Sequence, residues 1–106
     1  MTSTYKEKRK LTTASDAWHF IRQRQPFKTS GALWGTKEAV GSGRLDGIEL
    51  IQFRRAIEEG HIDFIVMSYH TPIAWYNKTL KKWHLVNEKF SVTTSKHQTI
   101  TRRAVS

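Results

Sequence analysis

The first clear pattern of apolar and polar positions lies between Ser15 and Pro26. Ala17, Trp18 and Ile21 recur at the spacing that places side chains on one face of a helix. Ser15 is a favourable N-cap residue, and Pro26 ends the pattern because the residue before a proline is kept out of the helical region. These features predict a first helix whose buried face includes Trp18.

A second helix is predicted over residues 46–59. Asp46 and Glu49 form a D-x-x-E arrangement close to a capping box, and Gly60 follows at a position where helices often end. The same residues leave one alternative open, a strand over residues 48–53. The apolar positions that favour the helix fall on one face: Leu50, Phe53 and Ile57.

The strongest strand pattern runs over residues 62–76, where β-branched and aromatic residues lie on both sides of Pro72. A polar turn over residues 77–82 separates this run from a second apolar run over residues 83–86. We therefore expect the two runs to pair antiparallel. Two shorter strands are predicted over residues 32–36 and 90–93.

The last pattern predicts a C-terminal helix that is capped by Ser95 and extends to Ala104. The combined elements predict an α+β fold, with a small antiparallel sheet of about three to four strands and with helices packed on one face. The length of 106 residues fits one domain. We therefore expect a basic, mobile N-terminal arm over residues 1–14 and a single α+β domain over residues 15–106.

Charge changes this picture because the net charge of +9 lies at the two ends of the chain. Basic and acidic residues cancel over residues 16–76, whereas Glu88 is the only acidic residue over residues 77–106. Such asymmetry favours a polyanionic partner, either nucleic acid (DNA or RNA) or an acidic host protein, although positive charge can also serve solubility alone. The residues predicted to bind nucleic acid are Lys78, Lys81, Lys82, Lys89, Lys96, Arg102 and Arg103.

Several kinds of site are not expected. The chain has no cysteine, which favours a reducing compartment and excludes cysteine-based zinc sites. The histidines lack the spacing of a helical zinc motif, and the carboxylates lie where helix caps and solvated faces are predicted. No segment is apolar for long enough to cross a bilayer. We therefore expect no metal, no cofactor, no assigned catalytic residue, no membrane partner and a cytoplasmic location.

Two segments are unusually rich in hydroxyl and imidazole groups, residues 68–75 and residues 90–98. Neighbouring positions in the sheet would let them form a shared polar site. The alternative is that the hydroxyls satisfy backbone groups at a bulge near Pro72, and that Thr94 and Ser95 cap the last helix. The residues of the candidate polar site are Tyr69, His70, Thr71, Thr94, Ser95, Lys96 and His97.

The same two segments, SYHTPIAW at residues 68–75 and FSVTTSKHQ at residues 90–98, carry a resemblance. They resemble the paired blocks SYxTPIAW and (Y/F)SxTTSKHQ of a family of small uncharacterised proteins of bacteriophages and mobile elements, mainly actinobacterial. The resemblance covers roughly residues 45–105. It implies a phage or mobile-element protein that acts inside a bacterial cell, and it assigns no catalytic residue.

The sequence leaves three functions open. The first is a non-enzymatic accessory protein that binds nucleic acid mainly through phosphate contacts. The second is a host-interaction protein that binds and modulates an acidic bacterial protein. The third is a small toxin-like ribonuclease that would use His70 or His97 with Lys96 for acid–base chemistry and phosphate binding.

Overall fold

The fold is organised around one twisted sheet that follows the order of the chain. The structure is a computed structural model that describes residues 7–106. Neighbouring strands are antiparallel except for the first two, which are parallel. In the described range the sheet has six strands, in this spatial order: β1 (Lys10–Leu11), β2 (Phe27–Lys28), β3 (Leu33–Thr36), β4 (Ile62–Ser68), β5 (Thr71–Asn77) and β6 (Lys82–Leu85).

Helices cover both faces of this sheet. Side chains alternate along β4, so Phe64 and Val66 pack in one apolar cluster while Ile65 and Met67 pack in another. Over residues 7–106 the structure has three α-helices, preceded by a short 3₁₀ helix over Ala14–Asp16: α1 (Ala17–Gln23), α2 (Gly47–Glu58) and α3 (Val92–Val105). The first cluster includes apolar residues of α1 and α3, and the second includes those of α2.

The predicted sheet of three to four strands with helices on one face is therefore wrong, although the α+β class is correct. Six strands are present in the described range, and α2 lies on the face opposite α1 and α3. The first two strands are only two residues long, which is too short to produce an alternating pattern in the sequence. The face that α2 covers depends on which side of the pleat Ile65 and Trp75 occupy, and strand register decides that.

The strong apolar run over residues 62–76 is two strands. Tyr69 adopts a left-handed backbone conformation with a φ of 57° and closes a two-residue turn between Ser68 and Thr71, which are paired. The expected interruption at Pro72 is only a shift of register within the hairpin. The expected pairing with residues 83–86 is confirmed for β5, where Asn77 pairs with Lys82.

The prediction of a helix over residues 46–59 is confirmed, and the alternative strand is wrong. Asp46 is extended and its carboxylate accepts a hydrogen bond from the backbone N–H of Gly47 at 2.8 Å. On the inner side of α2, Phe53 packs against Trp75 with ring centroids 5.0 Å apart. These contacts hold α2 on its face of the sheet.

The last helix begins earlier than predicted, because Ser91 and not Ser95 is its N-cap residue. The Ser91 hydroxyl accepts a hydrogen bond from the backbone N–H of Thr94 at 3.1 Å. The strand predicted over residues 90–93 is therefore wrong, since α3 begins at residue 92.

Part of the predicted arm lies outside the described residues, namely residues 1–6. Further along, Glu7 contacts β3, because its carboxylate accepts hydrogen bonds from the Thr36 hydroxyl at 2.6 Å and from the backbone N–H of Lys37 at 2.7 Å. Arg9 donates to the same carboxylate at 2.8 Å, and β1 pairs with β2. The division into an arm and a domain stays a prediction.

Among residues 7–106, no helix combines the length and the apolar character that a membrane span requires.

Candidate functional site

The two polar segments meet in a buried cluster of hydrogen bonds between β4 and α3. The Ser68 hydroxyl lies 2.7 Å from Nδ1 of His97 and 3.0 Å from the hydroxyl of Thr94. Ser91, at the start of α3, donates to the Thr94 hydroxyl at 3.1 Å. Ser68, Thr94 and His97 are all buried. The cluster therefore connects the helix to the sheet.

Burial decides the chemistry of this cluster. Removal from water lowers the pKa of His97 below its ordinary value of 6.5, because the charged imidazolium is poorly solvated there. The imidazole is therefore neutral at pH 7, and it forms a hydrogen bond with the Ser68 hydroxyl. A serine beside a neutral histidine is chemically a nucleophile beside a base, but Ser68 is only 1% exposed and no carboxylate in the described range bonds to His97. The arrangement stabilises packing.

Other residues of the candidate polar site lie apart from this cluster. Tyr69 and His70 are exposed in the β4–β5 turn, where the Tyr69 carbonyl accepts a hydrogen bond from the Trp34 indole at 2.8 Å. Thr71 is buried, and its hydroxyl accepts a hydrogen bond from the backbone N–H of Arg44 at 3.0 Å. These residues shape the turn and the loop that precedes α2.

On α3, consecutive residues of the candidate polar site differ in their exposure to solvent. Lys96 is exposed, whereas His97 is buried and Ser95 is intermediate. The structure thus brings Thr94 and His97 together through hydrogen bonds to Ser68. Ser68 is not among the residues predicted for the polar site. Alternation along β4 could have found Ser68, because it lies two positions from Val66 and shares its face.

The seven basic residues predicted for nucleic-acid binding are all exposed. None of them forms an ion pair with another residue of the described range. Lys89 and Arg102 line the same surface depression of about 260 Å³. The residues fall into two groups, Lys78, Lys81 and Lys82 at the β5–β6 turn and Lys89, Lys96, Arg102 and Arg103 on α3 and the segment before it.

A groove between α1 and α3 contains residues that sequence reasoning missed. The sequence predicts Trp18 in the buried stripe of α1, but its side chain is 36% exposed. Ala17 and Ile21 are one turn apart and form the buried face, and Trp18 lies about 100° around the helix from Ala17. In the sequence, this offset is the feature that indicates a position for Trp18 at the edge of the buried face. The groove has a volume of about 690 Å³ and is lined by Ala14, Ser15, Trp18, Arg22, Ile100, Arg103 and Ala104.

A smaller pocket of about 320 Å³ lies on the other face, between α2 and the β5–β6 hairpin. It is lined by His61 and His84, and each imidazole bonds to a carboxylate. His61 lies 3.1 Å from the carboxylate of Glu59, and His84 bonds to the carboxylate of Glu49. His84 also stacks on Trp75 with ring centroids 4.5 Å apart. No group of three or more potential metal ligands is found among residues 7–106.

Comparison with protein families matches residues 3–101 of the chain to the model of a family of unknown function, DUF8033. No curated protein and no solved structure matches the chain.

Proposed function

Because the chain belongs to DUF8033, a family of unknown function, we propose its role from its own surface: it binds nucleic acid without cleaving it. Contacts to phosphate supply most of the affinity, and base sequence contributes little. The resemblance to phage and mobile-element proteins, together with the absence of cysteine, favours an accessory role in the cytoplasm of a bacterial cell.

One observation carries this proposal: the lysine and arginine side chains of residues 77–106 are exposed and form no ion pairs in the described structure. The arginines that do form ion pairs with carboxylates, Arg9 and Arg24, lie outside this segment. An exposed cation without a partner keeps its full attraction for phosphate, whereas a paired cation must first give up its carboxylate.

Binding without cleavage is favoured by the positions of one candidate acid–base pair, His97 and Lys96. His97 is buried against Ser68, and the adjacent Lys96 faces solvent. A general acid or base must come within hydrogen-bond reach of its substrate, directly or through one water. His97 does not share a surface with Lys96, so the pair does not suit the cleavage of a phosphodiester.

The proposal predicts a steep dependence of affinity on salt. Each phosphate that is neutralised on duplex DNA contributes a slope of about −0.9 to the logarithm of the affinity against the logarithm of the salt concentration. Engaging about five basic groups should lower the affinity more than a hundredfold between about 50 and 200 mM salt. Fluorescence anisotropy with a labelled duplex measures this slope.

Charge reversal locates the surface. Changing Lys81, Lys82, Arg102 and Arg103 together to glutamate should abolish binding while the far-ultraviolet circular dichroism stays that of the parent, because all four side chains are exposed. The matched control has the same change of charge at exposed basic residues elsewhere: Lys28, Lys37, Arg54 and Arg55.

The control variant should keep most of the affinity. Equal losses in the two variants would mean that net charge and not this surface is responsible. A parent that binds neither duplex nor single strands at about 50 mM salt would overturn the proposal, and an acidic protein partner would then be the better interpretation.

A further inference from the structure

We infer that the groove between α1 and α3 binds the base of an unpaired nucleotide, so that the protein prefers single-stranded nucleic acid to duplex. This inference rests on the proposed function and goes beyond it, because phosphate contacts alone do not select single strands. It depends on one juxtaposition: an exposed tryptophan, Trp18, lies beside two arginines in a groove whose other lining residues are small or apolar.

One wall of the groove is a stack of planar side chains. The Trp18 indole stacks on the His19 ring with centroids 3.6 Å apart, and the Arg22 guanidinium lies 5.2 Å from the indole centroid. The Nε of Arg22 donates to the backbone carbonyl of Ala104 at 3.1 Å, which ties this wall to the end of α3. Unpaired bases stack on both aromatic rings and guanidinium planes, so a base can stack on the Arg22 guanidinium or take its place on the indole.

The opposite wall and the floor leave room for a base. Ile100 contributes an apolar surface from α3, and the small side chains of Ala14 and Ala104 give the groove its depth. A volume of about 690 Å³ falls within the range of roughly 300–1,000 Å³ that is typical of small-ligand sites. A base inside a duplex is stacked on its neighbours and cannot enter, whereas an unpaired base can.

Charge makes the groove complementary to the phosphates on either side of that base. Two guanidinium groups, those of Arg22 and Arg103, line the groove, and no carboxylate does so in the described range. Lys96 lies two turns before Arg103 and is therefore on the same side of α3. A strand that leaves the groove can continue along the basic side of α3 that the proposed function already uses.

The test compares single strands with duplex at one salt concentration. The probes are an oligothymidylate and an oligouridylate of about twelve nucleotides, together with a duplex of the same length. Replacing Trp18 with leucine keeps an apolar side chain but removes the π-face, so affinity for single strands should fall on the order of tenfold while duplex affinity stays within about twofold. Trp18→Phe should keep most of the affinity for single strands, and a loss as large as in Trp18→Leu would contradict base stacking.

A second readout does not depend on the leucine variant. Stacking on a base quenches indole fluorescence, so oligothymidylate should quench the parent and should quench Trp18→Phe distinctly less, because the remaining tryptophans lie outside the groove. The matched control is Tyr69→Asn, which removes a 55% exposed aromatic ring elsewhere and tolerates the left-handed backbone at that position. This control should bind as the parent does.

The outcomes separate the two proposals. If the parent binds duplex and single strands equally and Trp18→Leu binds both as the parent does, the groove is not a base site and the proposed function stands. Unchanged quenching in a binding-competent Trp18→Phe protein would also overturn the inference. If the parent binds no nucleic acid at all, the proposed function itself fails.

Discussion

The single ionisable residue of the buried hydroxyl cluster, His97, makes stability depend on pH. Its pKa is lowered in the folded state, so the unfolded chain binds a proton more readily, and stability is lost as pH falls below 6.5. Urea unfolding between about pH 5 and pH 8 should show a free energy of unfolding that declines on the acid side. His97→Asn should flatten this decline, and His70→Asn, at an exposed turn position, should not. Equal profiles for the two variants would contradict the assignment.

A glycine on β3 is required by close packing. A Cβ atom on Gly35 would lie 2.5 Å from a ring carbon of Phe27 and 2.6 Å from one of Phe64, both of which are fully buried. Gly35→Ala should therefore lower the free energy of unfolding by about 1–3 kcal/mol, measured by denaturant titration. Gly41→Ala is the matched control because a Cβ atom there has no neighbour within 4 Å, and its effect should be small. A similar loss in both variants would contradict the role of close packing at Gly35.

At the scale of elements, substitutions at the start of α3 test which serine caps the helix. The Ser91 side chain caps the helix and joins the buried cluster, so Ser91→Ala should cost about 1 kcal/mol of stability or more. Ser95, the cap predicted from the sequence, lies inside the helix, and Ser95→Ala should have little effect. Thermal unfolding of both variants distinguishes the two positions. A larger loss at Ser95 would contradict the cap described here.

Residues 90–98 show why the sequence predicts the start of this helix too late. Val92, Thr93 and Thr94 are β-branched, and local preference favours a strand over residues 90–93. The residues that face the core, however, are Thr94, His97, Gln98 and Thr101, which have helical spacing. Their polar character hid the pattern, because they are buried with hydrogen-bond partners and not as apolar side chains.

For the whole molecule, the sequence was sufficient for those features that depend on local patterns. The amphipathic pattern of α2 and the β5–β6 pairing follow from residues that are near each other in the chain. The exposure of the basic residues was also predictable, because unpaired charges stay in water. The groove beside Trp18 was not predictable, because it requires α1 and α3 to meet and no local pattern specifies that contact.

The meeting of α1 and α3 also has a consequence for biosynthesis. Arg22 bonds to Ala104, 82 positions later, whereas each antiparallel strand pairs with its immediate neighbour in the chain. During translation the hairpins can therefore form as they leave the ribosome, since short loops close at little entropic cost. The face of the sheet with Phe27 and Phe64 has no cover from α3 until the residues of that helix have been synthesised. The newly made chain thus leaves part of this aromatic surface uncovered until α3 has been made, and this is the interval in which a chaperone or an aggregating neighbour competes with folding.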